Sequence, residues 1–210
     1  MTRDLAQAAQ WFEKAALQDF APAQYRLGSL YEKGIGVTRD AARAKTLYQR
    51  AADHGNIRAM HNLAVLYAEG ADGKPDYTAA AQWFRKAAEY GVRDSQYNLA
   101  ILYARGLGTA QDISQSWIWF SLASAQGDED AGKKRSDVAA RLNAPQLTAA
   151  KAIVDNFKPR VGDKASNEVI EPPGGWEQQP ATASGPNNKP ENKSDKRSAQ
   201  PTGRPRMTAL

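Results

Sequence analysis

Apolar positions return along the first two thirds of the chain on a helical spacing. Ala23, Leu27, Leu30 and Tyr31 stand at i, i+4, i+7 and i+8, which puts them on one stripe of a helix spanning residues 22–33. Ala44, Leu47, Tyr48 and Ala51 form a matching stripe on a second helix over residues 40–53. The pair then recurs every 36 residues without insertion or deletion: Leu27, Leu63, Leu99; Tyr31, Tyr67, Tyr103; Gly34, Gly70, Gly106; Asp4, Asp40, Asp76, Asp112; Ala15, Ala51, Ala87, Ala123. Trp11-Phe12, Trp83-Phe84 and Trp119-Phe120 follow the same period, with Leu47-Tyr48 as the variant. Three full helix pairs result, over 20–55, 56–91 and 92–127, flanked by a lone second-type helix at 4–18 and a lone first-type helix at 128–142. One pair cannot bury its own stripe, so the pairs must stack.

The polar positions punctuate this pattern. Gly34 and Gly106 stand where a left-handed residue ends a helix, and Asp40, Asp76 and Asp112 stand where a carboxylate caps the next one. Small residues at Gly28, Ala64 and Ala100 allow the two helices of a pair to approach closely. After the repeats, Leu147, Ala150, Val154 and Phe157 mark a capping helix over 145–157, with Pro145 in its first turn and Lys158-Pro159 ending it. The solenoid is thereby expected over 1–158. Residues 159–210 hold eight of the eleven prolines and one aromatic, Trp176, too little apolar surface to offset ordering, so they are expected to be a disordered tail. Within it, Pro172, Pro173 and Trp176 are a candidate docking motif, a stiff segment carrying an anchor side chain.

Composition narrows the chemistry. With no cysteine, disulfides, thiolate catalysis and cysteine-ligated metals are excluded. The net charge of +5 is spread as +2 over residues 1–142 and +3 over 143–210, with both signs interspersed, so nucleic acid is not the expected partner. No apolar run reaches the ~18 residues of a membrane span. His54 and His61 could share a face only on one continuous helix, and Gly55 interrupts it, so no metal site is expected. No Gly-x-Ser-x-Gly elbow is present, the Gly-x-Gly pairs follow no strand, and the acids recur as caps. No catalytic residue and no cofactor is expected.

Leu-Gly-x-Leu-Tyr-x-x-Gly-x-Gly-Val at Leu27 to Val37 and Ala-x-Trp-Phe-x-Lys-Ala-Ala-x-x-Gly at Ala81 to Gly91 resemble the Sel-one-like repeat, over residues 1 to about 143. The resemblance implies an all-α, right-handed α-α solenoid of tetratricopeptide type, in a family of mostly adaptor and scaffold proteins. Relatives credited with hydrolase activity are rich in cysteine, unlike this chain. By the same resemblance, Tyr25, His61 and Tyr97 form one row along a concave groove and Arg26, Asn62 and Asn98 its neighbour, a ladder suited to an extended protein or peptide partner; any single one of these positions equally fits packing between helices or a plain surface place. Met60 to Gly70, Asp72 to Tyr77, Gln126-Gly127-Asp128, Asp137 to Leu142 and Pro172 to Trp176 together resemble the C-terminal periplasmic repeat region of polar localisation factors of the PodJ type. That resemblance implies a truncated or mis-started product, periplasmic if a fragment and cytoplasmic if Met1 is the true start. It also raises an alternative: a cell-envelope module binding peptidoglycan through the groove or the Trp176 segment.

Overall fold

In a computed structural model, which describes residues 5–71 and 73–169, every regular element is a helix. First-type helices are α2 (Ala21–Lys33), α4 (Ile57–Glu69), α6 (Arg93–Arg105) and α8 (Glu129–Ala139); second-type helices are α1 (Leu5–Ala16), α3 (Ala41–Asp53), α5 (Tyr77–Glu89) and α7 (Ile113–Ala125). Two more follow, α9 (Ala144–Asn156) and the one-turn α10 (Lys164–Asn167). Together they form an α-solenoid that makes one compact unit to Glu168.

The same local device closes all three hairpins. Gly34, Gly70 and Gly106 end the first helices at φ 66°, 65° and 68°, the left-handed region that costs glycine little. Asp40, Asp76 and Asp112 then cap the second helices, each side chain accepting an amide three residues on at 2.9 Å. The backbone amides of these aspartates donate back to the carbonyls of Tyr31, Tyr67 and Tyr103, at 2.9, 2.9 and 3.0 Å. That bond satisfies a carbonyl near the end of the first helix and turns the second helix against it.

Packing follows the stripes. Leu63, Phe84 and Leu99 are wholly buried, and Tyr48 lies so close to α2 that a Cβ on Gly28 would come within 2.9 Å of its ring. Between repeats, buried glutamines act as staples: Gln24 donates to the carbonyl of Ala16 and Gln96 to that of Ala88, each at 3.2 Å. Each adds a side-chain donor to a carbonyl at the end of α1 or α5 that already accepts the Asp19 or Gly91 amide. Near the far end, α7 is buried without a break from Ser116 to Ala123, between α6, α8 and α9. Asn143 and Gln146 form a reciprocal capping box at the start of α9, beside Pro145.

The chain from Pro159 to Glu168, assigned to the tail by composition, has a defined course. It runs back across the turns that join successive repeats. Phe157 meets Trp119 edge-on with ring centroids 6.0 Å apart, Arg160 donates its amide to the Glu89 carbonyl (2.9 Å), and its guanidinium lies over Tyr90. Further on, Asn167 reaches the start of α4. Composition misses this strap because its anchors are polar and its apolar area small. Pro172, Pro173 and Trp176 lie outside the described residues.

Candidate functional site

The six groove candidates are placed by three successive first helices, but three of them are closed into the stack. Tyr97, Asn62 and Asn98 are 4%, 8% and 1% exposed; Tyr25 and His61 are half-buried; Arg26 alone is exposed. The aromatic row packs inward, each member against the aromatic ring of its own second helix. Tyr25 pairs with Tyr48, His61 with Phe84 and Tyr97 with Phe120, at centroid distances of 5.9, 5.8 and 5.5 Å. Polar atoms of the same row reach the next first helix, His61 Nδ1 to Ser95 Oγ at 2.7 Å and the Tyr97 hydroxyl to Asp130. The row is thus a joint between repeats instead of an open ladder. Sequence spacing places these residues on one line correctly; it does not encode how tightly neighbouring helices close over that line.

Burial also sets the electrostatics of the joint. Packing holds the Tyr48 phenol well above its ordinary range. It lowers His61 below its ordinary 6.5, an effect that the Asp94 carboxylate opposes. As pH falls the unfolded chain therefore takes up the His61 proton first. Stability from the neutral ring is complete above about pH 6.5 and diminishes below it, down to the folded-state value. We expect the urea midpoint to drop between about pH 7.5 and about pH 5.5, and to drop less in His61→Gln. An unchanged pH response in that variant would contradict the assignment.

What remains open on α2, α4 and α6 is mostly the helix ends, together with mid-helix Arg26. The exposed residues of α2, α4 and α6 are Arg26, Lys33, Arg58, Glu69, Arg93 and Arg105, five cations against one acid. Beside them, the strap and its one-turn α10 show how the turn edge of the stack can hold a crossing segment. Asn56 Nδ2 donates to the Ser166 carbonyl (2.6 Å), Asn167 Oδ1 accepts the Ile57 amide (2.8 Å), and Asn167 Nδ2 donates to the Gly55 carbonyl (3.2 Å). Asn56 caps α4 from within, through Ala59, while Asn167 caps it from 110 residues away. Gly162 belongs to this contact, since a Cβ there would meet the Ile57 side chain. Asn167→Ala should cost about 1 kcal/mol and speed hydrogen exchange at the Ile57 amide, read by mass spectrometry. Unaltered exchange there would show that the cap is not formed. Neither the staples nor the strap was foreseen; the 72-residue separation of Gln24 and Gln96, two periods, was the one available signal.

The Sel1 repeat pattern matches residues 1–20, 21–56, 57–91 and 93–128, more than half of the chain. The chain belongs to the Sel1 repeat family. Sel1 repeat proteins are generally protein-interaction scaffolds, and the fold is typically non-catalytic. Two of the solved structures similar to this Sel1 chain illustrate the match. One, c5321, described as a protective antigen present in uropathogenic Escherichia coli strains displaying an SLR fold, is 31% identical with a TM-score of 0.62, over 78% of this chain and 35% of that one. The other, a Sel1 repeat protein from Oxalobacter formigenes, is 28% identical with a TM-score of 0.62, over 75% of this chain and 67% of that one. The chain therefore spans little more than a third of the c5321 protein's length. No curated protein matches it. Among the described residues, no helix of this Sel1 chain is long and apolar enough to cross a membrane, and no three His, Cys, Asp or Glu side chains are grouped to hold a metal ion.

Proposed function

We propose that this chain is a non-catalytic scaffold that holds an acidic protein or peptide partner against its first helices. The observation that carries this reading is the charge of the exposed positions of α2, α4 and α6: Arg26, Lys33, Arg58, Arg93 and Arg105 stand against Glu69, with Arg93 also paired to the less exposed Asp94. Cations spaced along a repeat array attract and orient an acidic partner that spans them. Tyr25 and His61 add half-buried rings beside Arg26 and Arg58. Asn62, Tyr97 and Asn98 enter as supports of that surface, since each is buried.

The test is capture from a lysate of the source cells on the immobilised full chain, identification of the retained protein, and titration with that protein purified. Arg26→Glu with Arg58→Glu should weaken binding at least about tenfold with the melting temperature unchanged, because both side chains are exposed. Retained affinity in that variant would rule out the first-helix surface. The family match supports scaffold function and stops short of polar localisation. The family match supports neither a PodJ-type assignment nor peptidoglycan binding.

A further inference from the structure

A second opening lies at the last first-type helix. In the internal repeats, the stripe turned toward the second helix reads Leu27, Gly28, Tyr31, then Leu63, Ala64, Tyr67, then Leu99, Ala100, Tyr103. One period further, in α8, the same positions read Arg135, Ser136 and Ala139. The helix that follows does not occupy the second-helix place either. α9 packs on α7 and makes little contact with α8, whereas α3, α5 and α7 each lie along their own first helix. Between α7, α8 and α9 this leaves an open cleft of about 690 Å³. That size is within the range of ligand sites, which run from about 300 to about 1,000 Å³.

The walls of the cleft differ in chemistry. Trp117 of α7 with Leu147 and Val154 of α9 supplies an apolar side. Arg135 of α8 and Lys151 of α9 supply two cations, against the single carboxylate of Asp155. Neither cation has an ion-pair partner among the described residues. Solvated and unpaired, they cost little while the cleft is empty and gain charge-assisted hydrogen bonds when a carboxylate arrives. An ordinary apolar second helix would bury the Arg135 guanidinium without a counter-charge, which disfavours it. A helix bearing acids on its outer face would not.

We propose that this cleft seats an acidic amphipathic helix from a partner protein, in the place a second helix takes in the internal repeats. Its apolar face lies on Trp117, Leu147 and Val154, and its flanking carboxylates meet Arg135 and Lys151. This deepens the scaffold reading and rests on it in one respect, that the occupant is a protein segment. The site is separate from the cations of α2, α4 and α6, so a defined peptide tests it apart from lysate capture.

The probe is a labelled synthetic peptide with the sequence of residues 76–90, carrying Arg85→Glu and Lys86→Glu. It keeps the apolar stripe of α5 and has four carboxylates; the unsubstituted sequence, with two cations and two acids, is the control. In fluorescence anisotropy with the full chain at low salt, the acidic peptide should bind at least about tenfold more tightly than the control. Arg135→Gln with Lys151→Gln should remove that advantage, and added salt should reduce it. Both positions border solvent, so the variant should melt with the parent chain, checked by circular dichroism. Leu147→Ser should weaken both peptides alike. The proposal fails if the two peptides bind equally, if the double Gln variant keeps the preference, or if the acidic peptide does not bind at up to about 1 mM protein. Failure there with lysate capture intact would overturn the cleft and leave the first-helix surface standing; loss of lysate capture alone would do the reverse.

Discussion

Gly108→Ala should unfold the third repeat more severely than any other single methyl addition in the loops, costing about 4 kcal/mol. Two terms add. Gly108 sits at φ +67°, where a side chain costs about 1–2 kcal/mol. Its missing Cβ also faces the carbonyl carbon and oxygen of Tyr77, at the start of the preceding repeat's second helix, so a methyl there would overlap backbone. Backbone cannot rotate away as a side-chain tip can, so the loop after α6 must lift from α5. Gly127→Ala is the control. That residue has φ +85° with nothing within 4 Å of the added carbon, and its substitution should cost only the conformational term. Denaturant unfolding of both variants, read by far-ultraviolet circular dichroism, separates the two contributions. Equal losses would show that Gly108 is needed for its dihedral angles alone.

The second large effect is expected in the aromatic column Phe12, Tyr48, Phe84 and Phe120, spaced by 36. Phe84 is wholly buried and touches His61, so Phe84→Ala should cost about 3–5 kcal/mol through lost transfer energy and the cavity left behind. Phe12 holds the same repeat position but is half-buried, beside a Trp11 that is 63% exposed where Trp83 and Trp119 are each 8%. Among the described residues, no first helix pairs with α1 on that side. Phe12→Ala should therefore cost less than half as much. Urea midpoints of the two variants decide it; equal losses would mean that α1 is covered in solution by a surface the described residues do not supply.

The period was legible because it is written in many columns at once, and the caps because Asp40, Asp76 and Asp112 each serve the residue three places on. Such features are local. Closure of the stack over Asn62 and Asn98 is not, since it depends on the angle between successive repeats, which builds from small packing differences at pairs such as Gly28 with Tyr48. Nor is the strap. Asn167 looks like any polar residue in a proline-rich stretch, and its role depends on where the fold places the Ile57 amide. Arg135 was readable in principle: placed one period after Leu99, it breaks the leucine column, and an open cleft lies where the column breaks.

An array stabilised only by its neighbours frays from either end, each hairpin melting nearly on its own account. Here the bonds from Asn56 and Ile57 to Ser166 and Asn167 span 110 residues, joining the last ordered stretch of the unit to its second hairpin. Such a clasp makes the stretch around Ser166 and Asn167 and the early hairpins share one fate. It should sharpen the unfolding transition and slow folding, because a long loop must close before those contacts form.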